Sequence, residues 1–408
     1  MVHKTPKTPI IVIGNGLTAK VMCAALDYFN LEYTQLIPAR SDVTDSRTTT
    51  INLASQKMLS HLNLWSFSAE DSTKITEILV SQKSFGTDCF DTKNKASSLR
   101  FSLDGEPMAW TIENNSLLQS CYELNLQSPS HICVYEGALS FDFSPLSVTI
   151  TDSKGAQWQA ELLIACDGAH SQARMAAGLS STSLAAHQKA VIARINLNRF
   201  HNNKAFQRFL PDGPIALMPI KAQEAALVWS ATNKVADTLS EMSDSDFTYQ
   251  VREALGAGFS ALTINSKRGN WPLNPSITRS MGQPGLLLAG DSSHSIHPLA
   301  GMGFNLALGD IAVICDCLDS ARNNGLSFSH PSILTDYQAK RRVEIEAIIG
   351  VTQGLNRLFS HKSFQLKLLP SGLIDLGLGV MDMLPIKKQL TQIATGGVLT
   401  SARLFSDI

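Results

Sequence analysis

This chain has no excess charge of either sign: over 408 residues, 34 Lys and Arg face 35 Asp and Glu, for a formal net charge of −1. Nucleic acid is gripped through its phosphates by a basic face, so nucleic acid is excluded as a partner. No apolar run reaches the roughly 18–20 residues that span a bilayer. The start, Met1–Pro9, is polar, and the apolar stretch after it is short and broken by glycines, so no secretory leader is expected. The seven cysteines (Cys23, Cys89, Cys121, Cys133, Cys166, Cys315, Cys317) form no C-x-x-C pair. Reduced thiols in a cytoplasmic setting are expected, with Cys315 and Cys317 as packing residues of a helix. Charged residues are scarce at 17% beside 44% hydrophobic, slightly greasy for a soluble enzyme. Internal repeats and low-complexity segments are absent, and the length suffices for two domains with an ample core.

Three glycine-bearing turns each follow an apolar run. The first is Gly14-x-Gly16-x-x-Ala19, after the β-branched run Ile10–Ile13 and before a helical stretch from Ala19 to Phe29. Paired glycines allow a tight turn and close approach to a pyrophosphate, and the following helix start offers free N–H groups. The second is Asp167-Gly168-Ala169-His170-Ser171-x-x-Arg174, delivered by the apolar segment Leu162–Cys166. Asp-Gly alone is an ordinary turn; the fuller pattern favours a nucleotide role. The third and most informative is Gly290-Asp291-Ser292-Ser293-His294-Ser295-Ile296-His297-Pro298-Leu299-Ala300-Gly301-Met302-Gly303-Phe304-Asn305, set between the strand-like Leu286–Ala289 and a helix. His294 and His297 are spaced like a metal pair, but no third ligand is apparent nearby, and no metal is expected. One element is missing. The second strand, Thr34–Ile37, ends without the Asp or Glu that ordinarily receives an adenosine ribose.

Elsewhere, strand-like runs such as Val191–Ile195 and Ala225–Trp229 dominate residues 187–273, with one helix near Asp244–Leu255. The expected fold is α/β: a Rossmann-like nucleotide-binding domain with an inserted antiparallel-sheet substrate domain and C-terminal helices. Its parts are 1–73, 100–178 and 274–345 for the nucleotide domain, 74–99 and 179–273 for the sheet domain, and 346–408 for the helical region. Leu355–Thr395, broken by Pro370, Gly372, Gly377, Gly379 and Pro385, reads as short amphipathic helices.

Gly-x-Gly, Asp-Gly and Gly-Asp, in that order, resemble the class A flavoprotein monooxygenases of the para-hydroxybenzoate hydroxylase type. The chain is more specifically similar to the ubiquinone-biosynthesis hydroxylases. The stretches that carry this are Asp45–Asn52, Glu113–Gln119, Gln207–Leu210, Gly213–Pro219, Trp271–Leu273, His297–Gly301 with Asn305, Tyr337–Arg342 and Asn356–Phe359. The resemblance spans nearly the whole chain. It implies FAD as cofactor, with Gly14, Gly16 and Ala19 at the pyrophosphate turn, Arg47 at the phosphate or ribityl region and Asn114 beside the ribityl chain. Asp167, Gly168 and Arg174 would shape the region shared with the pyridine nucleotide. Gly290 and Asp291 would hold a ribityl hydroxyl, and Pro298, Gly301, Met302, Gly303, Phe304 and Asn305 would lie along the flavin ring. Pro298, Gly301 and Gly303 are the ring-positioning residues, with no acid–base residue assigned. The chain departs from the pattern at Met302, where Gln is usual, and at Gly309, where a basic residue is common.

The implied reaction is hydroxylation of the ring of a polyprenylated phenol, with NAD(P)H as reductant and O2 as oxidant. Alternatives are a non-catalytic flavoprotein or assembly subunit among other ubiquinone-biosynthesis proteins, and a hydroxylase of small phenols. Gly213–Pro219 and Trp229 either roof the pocket or form ordinary sheet core. The C-terminal segment either packs on the FAD domain or touches the inner face of a membrane as a peripheral contact.

Overall fold

A computed structural model describes residues 7–39, 47–68, 71–90, 99–103, 105–125, 131–184, 187–298, 301–359, 395–396 and 402–406. The expected helices between 360 and 394, and Leu299 and Ala300 of the third turn, lie outside the described residues.

In chain order the elements used below begin with β1 (Lys7–Ile13), α1 (Leu17–Tyr28), β2 (Tyr33–Pro38), β3 (Thr48–Asn52) and α2 (Leu53–His61). Next come β4 (Ser72–Ile75), β5 (Glu77–Ser81), β6 (Leu99–Ser102), β7 (Ala109–Glu113), α3 (Asn114–Asn125), β8 (His131–Tyr135), β9 (Gln157–Ala165) and α4 (Gln172–Ala176). Then follow β10 (Gln188–Asn196), β11 (Lys204–Leu210), β12 (Gly213–Lys221), β13 (Glu224–Thr232), α5 (Asn233–Glu241) and α6 (Asp244–Leu255). The last are β14 (Gly269–Leu273), β15 (Leu286–Leu288), α7 (Met302–Asn323), α8 (Pro331–Phe359) and α9 (Arg403–Ser406).

The parallel heart of one sheet runs β8-β2-β1-β9-β15. The strand order reverses between β1 and β9, which opens a crevice beyond their carboxyl ends. β1 forms because Ile10, Ile11, Val12 and Ile13 suit a sheet buried on both faces. All four are fully buried, each worth roughly 1.5–3 kcal/mol. α7 is apolar almost all round and runs through the core against α1 and α8.

A second sheet runs β10-β13-β12-β11-β5-β6, with β14 on the outer side of β10, and is antiparallel except between β11 and β5. Its strands alternate. Val191, Ala193, Ile215, Leu217, Leu227 and Trp229 pack on one face with Phe247 and Val251 of α6. Trp229 is therefore ordinary sheet core. On the opposite face Met218 packs with Ile75 and Ala109 of β4 and β7, which with β3 form a separate three-stranded sheet. Among the described residues no helix is long and apolar enough to cross a membrane.

Candidate functional site

The three glycine turns meet because their strands are in register. Ile13 of β1 lies beside Ala165 of β9, which lies beside Leu288 of β15. The next residues of all three strands therefore enter turns at one level of one sheet edge. Gly14 takes φ +131°, and a Cβ there would stand 2.4 Å from the Cys166 carbonyl oxygen. Only glycine lets these two turns pass so closely. Gly16 caps α1 in extended backbone, and the small side chain of Ala19 is wholly buried behind the turn. Gln35 of β2 donates to the Gly14 carbonyl at 2.8 Å and accepts from the buried Lys20 ammonium at 3.1 Å. At the end of β2 stands Ile37, without a carboxylate.

In the second turn Asp167 accepts from the Gln172 N–H at 2.8 Å through Oδ2, while its buried Oδ1 has no partner among the described residues. Burial raises its pKa against the hydrogen bonds it accepts from Ser171 and the start of α4. Gly168 turns the chain at φ +83°. Ser171 caps α4 by accepting from the Arg174 N–H at 3.0 Å. The Arg174 guanidinium is buried; it donates to the Ala169 carbonyl at 2.7 Å and the Ser292 carbonyl at 2.8 Å, tying the second turn to the third.

The third turn rests on a buried ionic cluster that sequence reasoning missed. Asp310 of α7 accepts from the Gly290 N–H at 2.9 Å, pairs with His294 Nε2 at 2.6 Å and takes Arg341 Nε at 2.9 Å. Burial alone would raise its pKa, but His294 and Arg341 outweigh burial and hold it below the ordinary value. Arg341 also bonds Glu344 and the Leu306 carbonyl, while Tyr337 donates to the Leu288 carbonyl at 2.8 Å. The sequence held a signal for this cluster: Gly309 inside a helix marks a close neighbour, and that neighbour is the Arg341 guanidinium. Asp291, next to Gly290, keeps an exposed side, and desolvation by the surrounding protein raises its carboxyl pKa against the pull of His294 and Arg47.

Past Pro298 the chain enters α7 through Gly301, left-handed at φ +63°, where a Cβ would meet Thr50 of β3 at 2.7 Å. Asn305 fixes this entry. Its amide donates to the Thr50 carbonyl at 2.8 Å and the Gly301 carbonyl at 3.0 Å, and its oxygen accepts from the Asn52 N–H at 3.0 Å. Met302 turns its side chain into the core, Phe304 packs partly against it, and a Cβ at Gly303 would stand 3.8 Å from Ile296. The first N–H groups of a 22-residue helix lie at this entry.

Arg47 stacks over Trp271 of β14 at 5.4 Å, and its carbonyl accepts from the Asn114 N–H at 3.0 Å. Asn114 is buried and accepts from the Thr49 hydroxyl. Two ties fasten the second sheet to this edge: His297 Nε2 to Gln188 at 3.0 Å, and Arg194 to Glu113 at 2.8 Å. Burial pushes His297 down to about 4, so it is neutral at physiological pH. His294 and His297 thus bond different partners, and among the described residues no cluster of His, Cys, Asp and Glu is arranged around a metal.

The edge suits a dinucleotide-linked ring. It offers a glycine turn opened for close approach, two helix starts, a buried Asp167 oxygen without a partner among the described residues, and the charges of Arg47 and Asp291 near one another. Comparison with known proteins agrees. Residues 138–351 match the FAD binding domain family. The ubiquinone hydroxylase UbiL of Rhodospirillum rubrum is 26% identical over 95% of this chain and 89% of its own length. The mitochondrial ubiquinone biosynthesis monooxygenase COQ6 of Homo sapiens is 28% identical over 95% of this chain and 92% of its own length, and that of Xenopus tropicalis 30% over 71% of each. Among solved structures, PqsL from Pseudomonas aeruginosa, described as a probable FAD-dependent monooxygenase, superposes with TM-score 0.74 at 16% identity over 87% of this chain and 97% of that one. The p-nitrophenol 4-monooxygenase PnpA from Pseudomonas putida gives 0.73 at 13% identity over 98% and 100%.

Proposed function

The chain belongs to the FAD-binding domain family, and from that premise we propose that it hydroxylates the ring of a polyprenylated phenol in ubiquinone biosynthesis, using NAD(P)H and O2. The observation that carries this reading is the meeting of the three turns at one sheet edge beneath a sheet face that is largely apolar. FAD, when bound, supplies the activation of O2 for transfer of one oxygen atom to an electron-rich ring carbon. The protein's own work is to bind, orient and keep water out.

In this reading Gly14, Gly16 and the start of α1 take the pyrophosphate, with Ala19 letting the helix pack close. Arg47 and Asn114 lie along the phosphate and ribityl chain, and Asp291 accepts from a ribityl hydroxyl. Gly168 lets Asp167 turn beside the dinucleotide, and Arg174 keeps the Gly290–Asp291 turn at its height. The N–H groups at the entry of α7, between Pro298 and Phe304, stabilise negative charge on a reduced ring without reorganising. Asn305 holds that entry in place. No nucleophilic triad or metal is called for, because the cofactor supplies the oxygen-transfer chemistry.

The test is direct. The purified protein is expected to be yellow and to oxidise NADPH and consume O2 faster when a prenylphenol is added, with a hydroxylated product by mass spectrometry. A colourless protein that binds other hydroxylases and never consumes O2 overturns the reading in favour of an assembly subunit.

A further inference from the structure

β2 ends without the carboxylate that ordinarily receives an adenosine ribose, and an apolar step stands there instead. The Gly14 N–H donates to the Leu36 carbonyl at 3.1 Å, so the first glycine turn lies directly against this end of β2. Side chains alternate between the two faces of a strand. Leu36 packs with Ile11 and Ile13 on one face, and Gln35 reaches Lys20 of α1 on the other. Ile37 therefore shares the α1 face with Gln35. The edge strand β8 runs in parallel register beside it, with Ile132 next to Gln35 and Val134 next to Ile37. Cys133 and Tyr135 pack with Leu36, so Ile132 and Val134 look the same way as Ile37. Ile132 is 43% and Val134 56% exposed, and Ile37 is partly exposed. Three β-branched side chains thus form an open step beside the first glycine turn.

The polar groups around this step are already engaged. Gln35 is buried, and its amide uses both ends, donating to the Gly14 carbonyl at 2.8 Å and accepting from Lys20 at 3.1 Å. Pro38 has no N–H, and the Ala39 N–H donates to the Tyr135 carbonyl at 2.9 Å. Glu136, which follows β8, pairs with Lys154 at 2.6 Å. Residues 33–39 and 131–136 hold no other carboxylate or side-chain amide.

We propose that Ile37 and Val134 seat the adenosine half of FAD by apolar contact, and that the hydroxyls of its ribose are not read. The proposal rests on the FAD-binding part of the reading above. A purine presents flat faces that gain from leaving water, and β-branched side chains lose little rotamer freedom in meeting them. A carboxylate at the strand end would instead bond the ribose hydroxyls, and a bond to a charged acceptor is worth about tenfold or more in affinity. This chain therefore holds the cofactor through its pyrophosphate and its ring, and discriminates by purine contact in place of ribose chemistry.

The experiment titrates the full-length protein, freed of flavin, with FAD and with FMN by flavin fluorescence, and displaces FAD with ADP or 2′-deoxy-ADP. In the wild type the two displacers are expected to agree within about twofold, a comparison that needs no variant. Ile37→Glu supplies the absent carboxylate and is expected to make ADP about tenfold better than 2′-deoxy-ADP. Burial of one methylene is worth roughly fourfold, so Val134→Ser is expected to weaken FAD and both displacers about fourfold or more and to leave FMN unchanged. Both positions are partly exposed, and unchanged melting temperatures are expected. A wild type that prefers ADP tenfold overturns the proposal; loss of that preference in Glu136→Gln would assign the ribose to Glu136. An Ile37→Glu protein that gains no preference, or a Val134→Ser protein that binds FAD as wild type does, also overturns it. A protein that takes up FAD with equal displacement yet hydroxylates no phenol keeps this inference while the reaction reading falls. Binding of neither FAD nor ADP removes both.

Discussion

Replacing Arg341 by Met probes how the third turn is held. The Arg341 guanidinium is 2% exposed, and its partners Asp310 and Glu344 are 0% and 9% exposed. Removing it strips Asp310 of one charge partner, Glu344 of another and the Leu306 carbonyl of a donor. Breaking a buried pair by taking away one member costs about 3–5 kcal/mol, because the remaining charge stays buried. Two features push the cost toward the lower bound. Asp310 keeps the Gly290 N–H and His294. Glu344 already has a pKa raised by burial, against the pull of Arg341, so without that pull it takes up a proton instead of staying charged. The expected loss is therefore about 3 kcal/mol, a large part of the stability of an ordinary fold. Because Asp310 holds the Gly290 turn, FAD affinity is expected to fall as well. Denaturant unfolding and FAD titration by fluorescence measure the two effects separately. The double variant Arg341→Met with Asp310→Asn is expected to recover part of the loss, since it removes the orphaned charge. A single variant within about 1 kcal/mol of wild type, with FAD affinity unchanged, would refute the reasoning.

Two further outcomes are expected. Gly301→Val places a β-branched residue at φ +63° with its Cβ 2.7 Å from Thr50. Roughly 1–2 kcal/mol of left-handed strain and 1–3 kcal/mol of overpacking are expected to loosen the α7 entry, read as weaker FAD binding; unchanged affinity would show that the entry tolerates a side chain. His297 is buried with a pKa of about 4, against about 6.5 in the unfolded chain. Below pH 6.5 the unfolded chain binds a proton that the folded one does not, so this stability is present above pH 6.5 and is lost as pH falls toward 4. The loss is about 2 kcal/mol at pH 5. His297→Gln is expected to flatten that part of a pH series of unfolding midpoints, and parallel curves for the two proteins would count against a neutral buried imidazole.

The parts legible in the sequence are those governed by local rules. The run Ile10–Ile13 lies within β1, and the helix at Asp244–Leu255 has those bounds, because Ser243 caps it at Asp246 and Gly256 ends it at φ +105°. The start of α7 was less legible. The apolar period begins at Leu306, but the helix begins at Met302, since a left-handed Gly301 serves as its cap and Asn305 bonds back to it. What the sequence hides are pairings between distant residues. Arg174 is expected to shape the region shared with the pyridine nucleotide, and nothing local announces that its guanidinium joins the Ser292 carbonyl, 118 positions away. Gln188 and His297, 109 positions apart, carry no local pattern that would pair them. Such contacts follow from the strand order 8-2-1-9-15, which places remote segments at one edge.

The same geometry gives the departures at Met302 and Gly309 a physical meaning. Both residues lie on the buried side of α7. Met302 puts a thioether into the hydrophobic core, where it packs without needing a hydrogen-bond partner. The role implied for this position along the ring belongs to its backbone N–H, which the exchange leaves in place. At Gly309 the Arg341 guanidinium from α8 fills the volume that a Cβ would occupy and reaches Asp310. Both differences therefore bear on how α7 packs from behind its entry.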